Sequence, residues 1–447
     1  MIGKNFDLIV EKKINSFNKT ITVDSDKSIS IRSILIGSIS HNISQVNNIL
    51  ESEDVKSSIE CLKKLGVKIV KKSKTYYVHG KGLGSLTAKK NTTLNFGNSG
   101  TLARLLVGIL STTPNIEVKL TGDHSLKKRN MRKLIILMTK FGATFYPKEK
   151  FNFPLKLISS RMPIGINYKA GVSAQLKSAV MFAGLNSFGK TNIFEKDISR
   201  DHTEKMLSVN QSALRIKKNP NKIIQINGKK KLKALKIKVS GDPSSAAFFC
   251  ALTLIKKNST MKILDVGLNP TRTGFYQLLK KHGANIKFKN LKKRNNEIVG
   301  DLEIKNSKLK PLKASKEYYV KATDEYPILF VLAALTKGTS IFKGIGDLAN
   351  KESNRIREMQ KILEQIGIKS AFKNDELKIF GKGLVEANSK KIRLKNLGDH
   401  RLCMSTFILA TLTGAKAEIK NFETVNTSAP SFLKIMKKLG ADYEIQK

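Results

Sequence analysis

The residues best suited to chemistry in this chain are a few cations and carboxylates that stand at the starts of apolar segments. Arg is scarce, 13 of the 82 Lys and Arg residues, so each Arg in an apolar setting is informative. Asp26-Lys27-Ser28-Ile29-Ser30-Ile31-Arg32 leads into an apolar run, with Ser28 and Arg32 one helical turn apart. Gly97-Asn98-Ser99-Gly100-Thr101 is a glycine-bearing turn before another, suited to close approach of an anion to backbone N–H groups. Ser173, Ala174 and Gln175 open a third, and Arg129 and Arg200 sit in basic or polar loops. Farther on come Asp324 before Tyr326-Pro327, the group Lys351, Glu352 and Arg355, and Gly398-Asp399-His400-Arg401. Helix N-termini attract anions, and forked guanidinium donors suit phosphate and carboxylate. Each group also has a plainer reading. Ser28, Ser173 and Asp324 would be helix caps, Arg129 one more loop cation, and Lys351 and Arg355 one face of a surface ion-pair stripe.

The elements that carry these residues recur. A helix end, a glycine and a strand appear around Gly66, Gly142, Gly283, Gly367 and Gly440, with a degraded copy expected near Leu207 to Ile216. Glycine after a lysine-rich last turn is a helix-stop signal. A second series runs in step with it: a polar turn, then a helix apolar on almost every face, beginning near Lys27, Thr101, Ser173, Asp242, Asp324 and Asp399. A helix apolar all round belongs in a core. Six units of one buried helix, one amphipathic helix and several short strands follow, among them the strand Thr75-Tyr76-Tyr77-Val78-His79. Buried helices favour two globular domains of three units over a solenoid. The expected division is a first strand in 1–22 pairing with the C-terminal half, an N-terminal-half domain 23–239 and a C-terminal-half domain 240–447. If the buried helices are parallel, their N-termini face a cleft between the halves, and that cleft is the expected active site.

Composition narrows the class. A chain of 447 residues with 40% hydrophobic and 26% charged residues is globular, and no apolar run approaches a membrane span. The three cysteines, Cys61, Cys250 and Cys403, are far apart and fit neither a disulfide framework nor a zinc spacing, so each reads as a buried, inert thiol. The N-terminal ten residues lack a signal or transit pattern, and the expected location is the cytoplasm. A net charge of +47 raises the question of nucleic acid. The basic runs Gly228-Lys229-Lys230-Lys231-Leu232-Lys233 and Lys292-Lys293-Arg294-Asn295 lack interleaved aromatics, however, and read as solvated loops. Acidic small molecules are the partners this charge would draw.

Taken in order, Lys27-Ser28-Ile29-Ser30-Ile31-Arg32, Gly97-Asn98-Ser99-Gly100-Thr101, Arg200-Asp201-His202-Thr203, Lys351-Glu352-Ser353-Asn354-Arg355 and Gly398-Asp399-His400-Arg401 resemble the EPSP (5-enolpyruvylshikimate-3-phosphate) synthase family across essentially the whole chain. The resemblance implies a two-domain inside-out α/β barrel with six repeated helix-and-strand units, three per domain. It also implies a 3-phosphoshikimate 1-carboxyvinyltransferase, which moves the enolpyruvyl group of phosphoenolpyruvate to the 5-hydroxyl of shikimate 3-phosphate. By the same resemblance Asp324, Glu352 and Lys27 are catalytic. Lys27, Ser28, Arg32, Ser173, Ala174, Gln175, Arg200, Asp324 and Lys351 hold shikimate 3-phosphate. Lys27, Gly100, Arg129, Gln175, Arg355 and Arg401 hold phosphoenolpyruvate. No metal, cofactor, nucleic acid or membrane is implied, and the expected state is a monomer.

Several positions depart from common family patterns. Asn354 stands where Asp is usual, Asn130 and Leu105 where Pro is common, and Ser125 and Thr427 where some members place Arg and Lys. The sister transferase acting on UDP-N-acetylglucosamine would show a Lys-Asn pair near the first helix and a reactive loop cysteine. Here Lys27 is followed by Ser28, and Cys61 falls in an expected amphipathic helix.

Overall fold

The computed structural model describes residues 5–218 and 222–446, so residues 1–4 and 447, and 219–221 within the lysine-rich stretch before the midpoint, lie outside the described residues. The chain forms two compact units. The N-terminal-half unit comprises Ser25–Val239 with the short segment Arg294–Glu297. The C-terminal-half unit comprises Met1–Asp24, Ser240–Lys293 and Ile298–Lys447. Assigning 294–297 to the C-terminal half from the sequence is therefore corrected. So is the loop expected at 292–295, because Lys292, Lys293 and Arg294 end the strand Asn285–Arg294. Ile286 and Phe288 pack inward from that strand while its lysines stay outside. It lies at the edge of its sheet, where charged side chains discourage pairing with another chain.

Among the described residues each unit holds three four-stranded sheets. In every sheet a parallel pair is followed by an antiparallel neighbour. Ile43–Asn47, for example, pairs parallel with Lys236–Lys238 and antiparallel with Thr75–His79. The first strand, Asp7–Val10, lies antiparallel between Lys416–Ile419 and Glu444–Gln446. Asn18–Thr22, which no sequence signal marked, runs parallel to Thr260–Gly267.

The apolar helices are Lys27–Ile39, Gly100–Thr112, Ala174–Leu185, Pro243–Ile255, Tyr326–Ala334 and His400–Thr413, and almost every residue in them is buried. They form the centres of two hydrophobic cores, one per unit. Several hydroxyls inside them bond back to their own helix, as Ser33 Oγ donates to the Ser30 carbonyl at 2.7 Å and Ser38 Oγ to Leu35 at 2.7 Å. That satisfies the polar group without an external partner. Amphipathic helices such as Glu53–Lys64, Arg132–Lys140, Gly274–Lys281 and Arg355–Gln365 cover the cores. Gly66, Gly142, Gly283, Gly367 and Gly440 take positive φ, the left-handed stop the sequence announced. The three cysteines are buried and free, and burial pushes the Cys61 thiol up to about 12. Among the described residues no helix is long and apolar enough to cross a membrane.

The second and third buried helices meet at Gly108, where a Cβ would lie 2.5 Å from the Ala179 carbonyl oxygen and 2.8 Å from its Cα. Backbone cannot give way as a side chain can. Gly108→Ala is expected to lower the unfolding free energy by about 1–3 kcal/mol, read as a reduced urea midpoint at unchanged m-value.

Candidate active site

In the N-terminal-half unit the starts of the first three buried helices supply the polar side chains. Asp26 caps the first helix, accepting from Ile29 N at 2.8 Å, so Ser28 is not the cap that its position also allowed. Lys27 follows at the first helical position, and its Nζ lies 3.2 Å from Asp54 Oδ2. Arg32 is buried: Nε donates to Thr203 Oγ1 at 2.9 Å, Nη1 to the Ser28 carbonyl at 3.0 Å and Nη2 to Ser178 Oγ at 3.3 Å. Its charge is thus held by neutral oxygens from three segments.

The second group gathers around Gly100. Ser99 caps that helix through Leu102 N at 3.2 Å. Arg104 Nη1 donates to the Gly100 carbonyl at 3.0 Å and to Gln175 Oε1 at 2.9 Å, while Gln175 Nε2 donates to Thr101 Oγ1 at 2.9 Å. Arg129 Nη2 donates to Asn98 Oδ1 and, at 3.3 Å, to Ser125 Oγ. A Cβ on residue 100 would meet Nη1 of both Arg104 and Arg129 at 2.8 Å. Gly100, Arg129 and Gln175, named from the sequence, are therefore neighbours, and Arg104 joins them. The same signal that singled out Arg32, an Arg inside an apolar helix, was available for Arg104. Ser173 caps the third helix, accepting from Leu176 N at 3.4 Å, and Arg200 is half-buried.

Behind the third helix lies a buried ion cluster. Lys177 Nζ is 2.7 Å from both Glu195 Oε1 and Glu204 Oε1, and Lys222 Nζ is 2.6 Å from Glu195 Oε2. Sequence reasoning passed over Lys177, because one lysine among many carries no signal.

In the C-terminal-half unit Arg355 is the centre. It is 1% exposed, with Nε and Nη2 on the two oxygens of Asp399 at 2.9 and 3.2 Å. Its Nη2 also donates to Glu352 Oε2 at 2.6 Å, and Nη1 lies 3.8 Å from Asp324 Oδ1. Burial works against this guanidinium's charge, but Asp399 and then Glu352 outweigh it and hold the pKa above its ordinary value. Asp399 in turn caps the sixth buried helix, accepting from Arg401 N at 3.0 Å. Arg401 is 4% exposed, and its Nε and Nη1 make no hydrogen bond among the described residues. Its guanidinium carbon stands 5.8 Å from the centre of the Phe248 ring.

Two local readings are corrected. Asp324 does not cap the fifth helix; it lies in the 3-10 turn Thr323–Glu325, and that helix has no side-chain cap. Pro327 in its first turn lacks an N–H, which removes one of the donors a cap would serve. Lys351 and Glu352 do not share a helical face with Arg355, because the helix begins at Arg355 and Asn354 caps it through Arg357 N at 3.1 Å. Lys351 pairs with Asp347, whose Oδ2 also accepts from Tyr319 OH at 2.9 Å. Among the described residues no group of three or more His, Cys, Asp or Glu could hold a metal ion.

The fold itself recurs among enolpyruvyl transferases: one from Streptomyces tendae superposes with a TM-score of 0.75 at 13% identity, covering 99% of each chain. An EPSP synthase structure from Acinetobacter baumannii matches with a TM-score of 0.83 at 33% identity, over 99% of this chain and 100% of that one. The family model for EPSP synthase (3-phosphoshikimate 1-carboxyvinyltransferase) matches residues 11–436. The enzyme of that name from Zymomonas mobilis is 36% identical, over 98% of this chain and 97% of its own length. Its counterpart from Petrotoga mobilis is 38% identical over 95% and 97%. The chain belongs to the EPSP synthase family.

The ion cluster behind the third helix has a pH signature. Burial alone would raise the Glu195 pKa, but Lys177 and Lys222 outweigh it and hold it below the ordinary 4.5. A carboxylate whose folded pKa is depressed stabilises the fold above its unfolded pKa and loses that contribution as pH falls through the folded one. The wild-type urea midpoint is therefore expected to fall as pH drops below 4.5. Glu195→Gln should start lower at neutral pH and show a shallower acid slope. Parallel slopes in the two proteins would refute the assignment.

Proposed function

We propose that these two groups of residues perform one reaction, the transfer of the enolpyruvyl group of phosphoenolpyruvate to the 5-hydroxyl of shikimate 3-phosphate with release of phosphate. The observation that carries the reading is Arg401, a buried guanidinium whose Nε and Nη1 are without a hydrogen bond among the described residues. Such donors suit a planar carboxylate, here that of phosphoenolpyruvate. Arg355, Arg129, Lys27 and Gln175 share the same substrate, and Gly100 leaves room for it. Lys27, Ser28, Arg32, Ser173, Gln175, Arg200 and Lys351 hold shikimate 3-phosphate, with Ala174 contributing its backbone. Both substrates carry a phosphate and a carboxylate, so a collection of cations lowers the cost of bringing them together. The repeated pairing pattern of the six sheets supports the finer architecture, an inside-out α/β barrel of six units, three per domain.

The chemistry asks for one group to take a proton and one to give it. The 5-hydroxyl adds to C2 of phosphoenolpyruvate as C3 gains a proton, and the tetrahedral product then loses phosphate and a C3 proton. Asp324 takes the hydroxyl proton, with Lys27 beside the same substrate. Glu352 exchanges the proton at C3. Both carboxylates are only partly buried and both adjoin Arg355, so they can reach a ligand while their anionic forms are supported. The reaction requires no metal or organic cofactor. The chain acts as a cytoplasmic monomer in this reading.

The test is phosphate release by purified protein with phosphoenolpyruvate and either shikimate 3-phosphate or UDP-N-acetylglucosamine. Release with shikimate 3-phosphate alone is expected. Release with UDP-N-acetylglucosamine, or with neither acceptor from folded protein, would overturn the reading. Asp324→Asn and Glu352→Gln are each expected to lower kcat by about 10²–10⁴-fold while leaving the thermal midpoint close to that of the parent.

A further inference from the structure

The segment that carries Arg200 is held in an unusual way. Lys196, Asp197 and Ile198 are exposed, yet the next residue, Ser199, is buried. Its N–H donates to Glu195 Oε1 at 2.8 Å, and its hydroxyl donates to the same oxygen at 2.7 Å. Its carbonyl accepts from Lys177 Nζ at 3.4 Å. The donor, acceptor and side chain of Ser199 thus all end on one buried ion pair, Lys177 Nζ to Glu195 Oε1 at 2.7 Å. On the far side of Arg200, Thr203 Oγ1 is bonded to Arg32 Nε at 2.9 Å and to Ser178 Oγ at 2.8 Å. Lys177 and Ser178 belong to the third buried helix, whose first residues are Ala174 and Gln175.

Stability alone is a poor account of this arrangement. A buried ion pair gains little over an apolar pair of the same volume, because desolvation offsets the attraction. This one is fully buried, and Glu204 Oε2 beside it makes no hydrogen bond among the described residues. What the pair does supply is direction. A carboxylate that accepts from both the N–H and the hydroxyl of one residue fixes the backbone leading to the next.

We infer that the Lys177–Glu195 pair is a positioning device for Arg200: it fixes Ser199, and through it sets how tightly the phosphorylated acceptor is bound. The inference rests on the reading of Arg200 as a shikimate 3-phosphate ligand. Lys177 and Glu195 are positioning residues; neither is assigned contact with a substrate.

Lys177→Met would leave the buried Glu195 and Glu204 to share Lys222 and is a poor first variant. Ser199→Ala leaves every charge in place and removes one hydrogen bond. It is expected to raise the KM for shikimate 3-phosphate by about three- to tenfold, with kcat and the KM for phosphoenolpyruvate nearly unchanged. Ser199→Thr, which keeps the hydroxyl, should restore the parent value. Arg200→Ala, run alongside, should raise the same KM further. A Ser199→Ala enzyme with a lowered thermal midpoint but unaltered KM, beside an Arg200→Ala enzyme that binds the acceptor poorly, would overturn the inference and leave the role of Arg200 standing. An unaltered KM in Arg200→Ala would overturn the role of Arg200 and the inference with it.

Discussion

A helix that is buried on every side meets polar groups of other segments mainly at and near its ends. The six apolar helices of this chain are in that position, and their side faces are given over to the two cores. The hydroxyls of Ser33, Ser38, Ser111 and Thr253 inside them are turned back on carbonyls of their own helices. The first turns are where unpaired N–H groups and positive potential accumulate. Five of the six are closed by an Asp or Ser side chain: Asp26, Ser99, Ser173, Asp242 and Asp399. Polar chemistry is thereby concentrated at helix starts.

Asp399 shows how one carboxylate can serve both the fold and the site. It closes the sixth buried helix through Arg401 N and grips Arg355 with both oxygens. The capping role fixes the carboxylate, and the carboxylate fixes the guanidinium. In the N-terminal-half unit neutral groups do the comparable work, with Thr203, Ser178 and a carbonyl around Arg32. These three partners of Arg32 are neutral oxygens, where those of Arg355 are carboxylates. Lys27, by contrast, lies against Asp54, a contact that a bound phosphate would have to share or displace.

Sequence showed the periodic parts of this molecule. Residues such as Gly66 and Gly142 announce their own helix ends, because only a residue without Cβ takes that backbone freely. The buried helices were legible for the same kind of reason, since an all-apolar helix has no place except a core. What sequence hid was whatever depends on partners distant in the chain. Lys177 is one of very many lysines until Glu195 and Glu204 are seen around it. Asp54 looks like any acidic residue in a helix's first turn. The 294–297 segment sits in the turn of an ordinary hairpin, and its grouping with the other unit follows from tertiary contacts such as Glu297 with His202 at 2.8 Å. Arg104 was different, because its signal was present in its apolar surroundings.

The fifth buried helix departs from the others in a way that bears on the chemistry. An Asp before Tyr326-Pro327 satisfies every local rule for a cap, and local rules alone would assign its carboxylate to backbone N–H groups. The structure inserts the turn Thr323–Glu325 ahead of the helix, and no side chain closes it. Glu325 is drawn away to Ser244 Oγ, itself bonded to the buried Arg272 at 2.8 Å. Asp324 is therefore not committed to capping, and its carboxylate stands partly exposed near Arg355. A capping Asp is stabilised as an anion by the N–H groups it accepts from, which makes it a weaker base. In the proposed reaction Asp324 is the group that takes the hydroxyl proton, and its place in the turn ahead of the helix accords with that role. The exception among these six helix starts is thus the one whose acidic residue the proposed reaction uses as its base.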